Sequence, residues 1–251
     1  MITSVRNPRI AEVRRLKKSR ERKATGKTTI DGPVLLQEAV DHGVDVLEIF
    51  SLPDDSATAE IADAAGIAVI EVSSEVIDAL GSSIHPRGPV AVIEIPPMGE
   101  ISATDSVVLW ELADPGNAGT IIRTAAAFGF QVVASSGTCD LWSPKVIRAA
   151  AGAHFRTRLV TGLQEIEELE RAGLVPLAMS AQGVAISKID MADPGPIAFM
   201  VGNEAHGLPA AFRDRATAVA LPMLGGTESL NAGVAAGIAM YLRMSRRRDT
   251  E

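Results

Sequence analysis

Asp114-Pro115-Gly116-Asn117-Ala118-Gly119-Thr120-Ile121-Ile122-Arg123-Thr124-Ala125-Ala126-Ala127-Phe128-Gly129 follows closely on the apolar run Val107-Val108-Leu109-Trp110. An apolar run without alternation reads as a strand buried on both faces. Proline, two glycines and a polar residue then make a tight loop, and the small-residue stretch after it reads as a helix. Gln131-Val132-Val133-Ala134, Val175 to Met179 and Ile197 to Val201 repeat the same kind of strand. Strands of this type alternating with helices predict a mostly parallel α/β sheet, with ligands beyond the carboxyl ends of its strands.

Three segments place polar residues at such ends. In the first, Arg123 stands among Ile, Ala and Phe, and a buried guanidinium costs roughly several kcal/mol unless it is paired. A phosphate, a carboxylate or a structural Glu would each answer that need. The second, Phe199-Met200-Val201-Gly202-Asn203-Glu204-Ala205-His206-Gly207-Leu208-Pro209, puts Glu204 at a strand end, where it could meet Arg123. The third runs from Leu221-Pro222-Met223-Leu224-Gly225-Gly226-Thr227-Glu228 through Ser229-Leu230-Asn231 into an Ala-rich helix ending near Tyr241. Ser229 reads as the N-cap of that helix and Asn231 as part of its first turn, and capping alone would account for both. Gly233 and Gly237, four apart, predict very close packing against another backbone or a subunit. The first loop lacks the G-x-G-x-x-G order, which argues against a nucleotide-dependent oxidoreductase.

Outward from these segments, residues 30–95 alternate helix-like runs (Pro33 to Val40, Ala57 to Ala65) with short β-branched runs (Val46 to Phe50, Ile67 to Val72, Val90 to Ile95). Pro96 and Pro97 with the polar residues that follow them mark a break, and 97–106 reads as a linker. Domains of 1–96 and 107–251 are therefore expected, the first opening with a basic helix over 1–28. The chain has 251 residues and a net charge of −7, yet residues 1–30 carry ten basic residues against two acids, a local +8. The remainder holds fourteen basic residues against 29 acids. Such asymmetry suits a basic face meeting a polyanion, with Arg6, Arg9, Arg14, Arg15, Lys17 and Lys18 as its candidate contacts. A solvated amphipathic helix, its stripe made by Val5, Ile10, Val13 and Leu16, fits the same residues. Arg243-Met244-Ser245-Arg246-Arg247-Arg248 reads as a smaller basic patch at a helix C-terminus.

One cysteine, Cys139, excludes an internal disulfide. His42, His85, His154 and His206 lie too far apart to suggest a metal site, so no metal is expected. No run reaches the roughly 18 apolar residues of a membrane span. A cytoplasmic protein without membrane association is expected.

In this order the three segments resemble the SpoU or TrmH family of RNA 2′-O-methyltransferases, a branch of the SPOUT class, over residues 107–243. The basic opening helix and Thr29-Ile30-Asp31-Gly32-Pro33-Val34-Leu35-Leu36-Gln37-Glu38-Ala39 resemble the small L30e-type substrate-recognition domain of ribosomal-RNA members. The resemblance implies a fold of class α/β, a small L30e-like domain followed by a SPOUT domain with a deep trefoil knot. It also implies S-adenosyl-L-methionine as cofactor, ribosomal RNA of the 23S type as substrate, and a homodimer through the C-terminal domain, which the glycines of the last helix would suit. Transfer RNA, or a catalytically inactive RNA-binding role on the same scaffold, are the alternatives.

Residue by residue, Asn117, Arg123, Glu204, Ser229 and Asn231 match the family's functional polar positions. Gly202, Leu221 and Leu230 match positions whose backbone contacts the cofactor, and Met223 is grouped with them. Methyl transfer to an alcohol needs sulfur, carbon and oxygen in line and a poorly ionised hydroxyl made reactive. Because a guanidinium stays protonated, Arg123 is expected to act as an electrostatic clamp on phosphate and incipient oxyanion. Asn117 is expected to orient the ribose hydroxyl, Glu204 to fix Arg123 or its neighbours, and Ser229 and Asn231 to shape the pocket. Ala205 and the alanines of Arg148-Ala149-Ala150-Ala151-Gly152 stand where the family often has Gly and Ser.

Overall fold

The computed structural model describes residues 1–83, 86–193, 195–225 and 229–248, with only the backbone of 248. His85 and Gly226-Thr227-Glu228 lie outside the described residues. In chain order the elements are α1 (Pro8–Arg15), α2 (Ser19–Thr25), β1 (Lys27–Asp31), α3 (Pro33–Asp41), β2 (Val46–Ser51), α4 (Ser56–Ala65), β3 (Val69–Glu71), α5 (Ser74–Leu80) and β4 (Val90–Glu94). They continue as β5 (Ser106–Leu109), α6 (Pro115–Phe128), β6 (Gln131–Ser135), α7 (Pro144–Ala149), β7 (Leu159–Leu163), α8 (Ile166–Arg171), β8 (Val175–Ala185), β9 (Ile197–Val201), α9 (Ala210–Arg215), β10 (Thr217–Ala220) and α10 (Ala232–Arg248). Among the described residues no helix is long and apolar enough to cross a membrane.

Two compact units result: Met1–Pro97 with Asp140–Phe155, and Met98–Cys139 with Arg156–Glu251. A contiguous division of the chain assigns 140–155 to the second domain, whereas its contacts lie with the first. Thr28 donates its hydroxyl to the Trp142 carbonyl at 2.7 Å, and Asp140 accepts from Ser19 and from Arg22, whose side chain is buried. No periodicity announces a partner a hundred residues away.

The first unit holds a sheet of order β1-β4-β2-β3, with β4 antiparallel to β1 and β2, and β3 parallel to β2. Its opening is not one helix over 1–28. Asn7 caps α1 through the Arg9 amide, the chain turns at Leu16, and Gly26, with φ of +67°, ends α2 ahead of β1. Ile10, Val13 and Leu16 are buried against Phe50, Val76, Ile77 and Leu80, which ties α1 into the core. A helix carried to residue 28 would have forfeited β1, whose Thr28, Thr29 and Ile30 are all buried.

The second unit is a six-stranded parallel sheet of order β10-β8-β9-β5-β6-β7. Val107, Val108, Leu109, Val132, Val133, Ala198, Phe199 and Met200 are essentially fully buried, as expected for a sheet covered on both faces. The stretch expected to be a linker is pinned to this sheet. The Gln131 side chain donates to the carbonyls of Ser102 and Thr104 and accepts from Ser102.

Helix α10 lies against α6. A Cβ at Gly233 would come within 3.1 Å of Thr120 Cγ2 and one at Gly237 within 3.6 Å of Thr124, and Phe128 meets Tyr241 at 5.9 Å between ring centroids. The close approach foreseen for these glycines is thus made within the chain, so they do not speak for a subunit contact. Arg243 is also not part of a surface patch. It is fully buried on the same stripe as Ala236, Ala239 and Met240.

Candidate active site

The middle of β8, the ends of β9 and β10 with the chain that follows them, and the starts of α6 and α10 line a cleft of about 470 Å³. That volume lies in the range of small-molecule sites, roughly 300–1,000 Å³. Gly202, Leu221, Met223, Ser229 and Leu230 all line it, as do Asn117, Glu204 and Asn231.

The last three form one directional chain. Asn231 Nδ2 donates to Asn117 Oδ1 at 2.8 Å, and Asn117 Nδ2 donates to Glu204 Oε1 at 3.1 Å. Glu204 also accepts from the backbone amides of Ala113 and Asp114, at 3.3 and 3.4 Å, where the chain enters α6. At the other end Asn231 Oδ1 accepts from the Val234 amide at 3.2 Å, so Asn231 rather than Ser229 caps α10. Asp114 caps α6 in the same way through the Asn117 amide, at 2.7 Å. Burial works against ionising Glu204, but hydrogen bonds from Asn117 and from the amides of Glu204 itself, Ala113 and Asp114 outweigh it. The carboxyl is held below its ordinary range.

Arg123 does not join this network. Its residue is exposed on α6, it makes no ion pair or hydrogen bond among the described residues, and Glu204 spends its carboxylate elsewhere. The apolar residues around it in sequence mislead because Ile121, Ile122 and Ala125 take the buried side of α6 and leave position 123 to solvent. His206 is exposed on its loop, His42 Nδ1 lies 2.9 Å from the Glu38 carbonyl, and His154 is buried. Among the described residues no group of His, Cys, Asp and Glu suits a metal ion.

Two sets of lining residues went unnoticed in the sequence. Met179, Ser180 and Ala181 line the cleft because β8 bulges there. Its pairing with β10 jumps from Ala178 to Val184, and a Cβ on Gly183 would come within 2.5 Å of the Ala218 and Val219 backbone. The signal was Gly183 inside a strand pattern, a mark of a bulge or a close backbone approach. Asn203 and Gly207 also line the cleft and close the loop after β9, the Gly207 amide donating to the Asn203 carbonyl at 2.8 Å.

Of the basic candidates in the first unit, Arg9 is paired with Glu48 at 3.0 Å and Lys17 donates to the carbonyls of Ala79 and Gly81, at 2.9 and 2.6 Å. Burial pushes the Lys17 amine below its usual value, partly offset by Asp31 and reinforced by Arg14. Arg6, Arg14, Arg15 and Lys18 are exposed and make no side-chain bond among the described residues.

Residues 105–241 match the SpoU rRNA Methylase family, and residues 7–91 match the MRM3-like substrate binding domain. The chain is 30% identical to a Bacillus subtilis 23S rRNA guanosine 2′-O-methyltransferase, RlmP, over 96% of this chain and 97% of that one. It is 32% identical to a Synechocystis protein described as an uncharacterized tRNA/rRNA methyltransferase, over 96% and 92%. The structure of an AdoMet-bound rRNA methyltransferase from Sinorhizobium meliloti superimposes with a TM-score of 0.85 at 29% identity, covering 98% and 97% of the two chains.

Proposed function

Because the chain belongs to the SpoU rRNA Methylase family, we propose that it transfers the methyl group of S-adenosylmethionine to a ribose 2′-hydroxyl of ribosomal RNA, acting in the cytoplasm. The observation that carries the reading is the Asn231–Asn117–Glu204 chain at the rim of a nucleoside-sized cleft.

The cleft's residues fit the cofactor. Val201, Leu208, Val219 and Ala235 offer apolar walls for a base, and Gly202 and Gly207 leave backbone open to close approach. S-adenosylmethionine supplies an activated methyl group on a sulfonium. The protein supplies position. Gly202, Leu221, Met223 and Leu230 hold the nucleoside, and Ser229 shapes the mouth. Asn117 has both ends of its amide engaged within the protein, so its role is to hold Glu204 and Asn231 in register rather than to be the main handle on the ribose. Arg123, without a partner among the described residues, is left to clamp an RNA phosphate and the developing oxyanion. The RNA surface of the first unit consists of Arg6, Arg14, Arg15 and Lys18, with Arg9 and Lys17 committed to internal partners.

Two further parts of the proposal come from the family. The last segment is threaded as a trefoil knot, and two copies associate through the second unit. Val234, Ile238 and Tyr241, an exposed apolar stripe at helical spacing on α10, support the association. Sedimentation as a monomer at micromolar concentration would refute it, and a chain path that pulls straight from its two ends would refute the knot.

The test is methylation of ribosomal and transfer RNA by the purified protein, with the product mapped. A 2′-O-methyl group on ribosomal RNA is expected. Replacing Arg123 by Ala should lower turnover by about 10²–10³, the usual cost of one transition-state donor, with cofactor affinity nearly unchanged. Methylation of a base, or of transfer RNA alone, would overturn the assignment. Cofactor binding without transfer to any RNA would favour the inactive scaffold.

A further inference from the structure

Glu111, just past the end of β5, has φ of +50°, a left-handed conformation that costs a non-glycine residue of order 1 kcal/mol or more. Its surroundings hold it there. The Glu111 amide donates to Ser135 Oγ at 2.8 Å, and Thr138 Oγ1 donates to the Leu109 carbonyl at 2.7 Å. The Glu111 side chain lies over Gly137, where an added Cβ would be 2.7 Å from its Cγ. The kink presents the Glu111 carbonyl to Asn203, whose Nδ2 donates to it at 2.8 Å.

Asn203 uses the rest of its amide on its own loop. Oδ1 accepts from the amides of Ala205 at 2.8 Å and His206 at 3.2 Å, an Asx turn. A Cβ on Gly202 would fall 2.5 Å from the Gly207 backbone, so this loop is folded tightly back on itself. Glu204 lies inside the turn and reaches across to the Ala113 and Asp114 amides. One side chain thus fastens the loop after β9 to the exit of β5 and sets the turn from which Glu204 projects.

We propose that Asn203 is a positioning residue for the cofactor, a strut between the two strand exits whose donor half, on the Glu111 carbonyl, keeps the 202–208 wall of the cleft preorganised. This rests on reading the cleft as the S-adenosylmethionine site. The strut lies in the wall and not among the groups facing the ribose, so its loss weakens binding far more than it slows the saturated enzyme.

The experiment compares Asn203→Ala and Asn203→Asp with the unaltered protein. It uses calorimetry with S-adenosylmethionine, steady-state kinetics on RNA, and hydrogen exchange across 202–208. Asp keeps the acceptor half that closes the Asx turn and lacks the donor to Glu111, which separates the strut from a purely local turn. Expected for both variants are a Kd and KM for S-adenosylmethionine raised tenfold or more, kcat lowered less than threefold, and faster exchange of the Ala205, His206 and Gly207 amides. Asn203→Asp with unchanged Kd and unchanged exchange would overturn the strut. Should the unaltered protein bind no S-adenosylmethionine, the reading of the cleft fails instead, and the exchange rates alone still decide the strut.

Discussion

Helix α10 is fastened to the rest of the second unit at both of its ends, and the two fastenings differ in kind. Near its C-terminus Arg243 is fully buried and uses every N–H it has. Nε and Nη2 bond the Asp105 carboxylate at 2.9 and 3.1 Å, and the remaining donors go to the carbonyls of Met191, Asp193 and Gly195. Asp105 in turn accepts from the Ile197 amide and from Arg247. At its N-terminus Asn231 holds Asn117, and through it Glu204, in a chain whose two ends are exposed and whose middle is half-buried, with donor and acceptor capacity to spare. The saturated end can only hold. The open end can also bind, which is why chemistry is assigned to it although both ends are polar.

Breaking the saturated end should produce the largest effect in the molecule. Arg243→Ala takes from Asp105 its buried partner and leaves it only the part-exposed Arg247 and the Ile197 amide, and removing one member of a buried pair costs about 3–5 kcal/mol. For a chain of this size that is a fall in Tm of roughly 6–20 °C, read by thermal unfolding. A change below about 1 kcal/mol would show that the buried network contributes no more than an ordinary surface pair.

His154 tests the rule that full satisfaction marks a structural group, because it is buried but only half satisfied. Nε2 lies 2.7 Å from the Leu141 carbonyl, while Nδ1 is buried without a partner. Since a carbonyl only accepts, Nε2 carries the proton. Burial lowers the pKa from 6.5 to about 4, against a smaller upward pull from the Leu141 bond. The unfolded chain therefore binds the extra proton first as pH falls. Stability held at neutral pH is lost between about pH 6.5 and pH 4, by up to about 3 kcal/mol at 1.36 kcal/mol per unit. Urea titrations across that window should show the slope, and His154→Gln should flatten it. Glu204, with its pKa lowered, contributes stability that is fully present above the ordinary carboxylate value and is lost as pH falls from that value through the lower folded one.

At the open end, Asn231→Ala should cost about 1 kcal/mol of stability, the usual value of a helix cap, and at least tenfold in kcat/KM. Parallel unfolding and methylation assays would separate the two. A stability loss rivalling that of Arg243→Ala would erase the contrast between the ends.

These contrasts were only partly visible in the sequence. The sheet was legible because strands buried on both faces cannot alternate: Ile197 to Val201 stands where expected, and the strand expected at Val107 to Trp110 runs one residue earlier, over Ser106–Leu109. Asn117, Glu204 and Asn231 were legible as polar residues at strand and helix ends. The two arginines were exchanged. Arg123 looked buried from its apolar neighbours along the chain, and Arg243 looked exposed from its basic ones. Helical spacing was the better guide, since Ala236, Ala239, Met240 and Arg243 share one stripe. The β8 bulge and the attachment of 140–155 to the first unit were out of reach because they depend on non-local packing.

The smallest effect belongs to two neighbouring lysines that repeat the contrast in miniature. Lys17 is bound by two carbonyls, and Lys18 is exposed and unbonded among the described residues. A cation that neutralises an RNA phosphate contributes about 0.7–0.9 to the slope of log affinity against log salt. Lys18→Ala should therefore flatten that slope by somewhat under one unit and leave the fold untouched. Lys17→Ala should leave the slope where it is and show itself in unfolding, because its ammonium already has its partners within the protein. Removing residues 1–28 whole cannot make this distinction, since it also takes Ile10, Val13 and Leu16 out of the core. Should Lys17→Ala flatten the slope as much as Lys18→Ala, the internal bonds of Lys17 must yield to RNA. Saturation within the free protein would then no longer mark a group as structural.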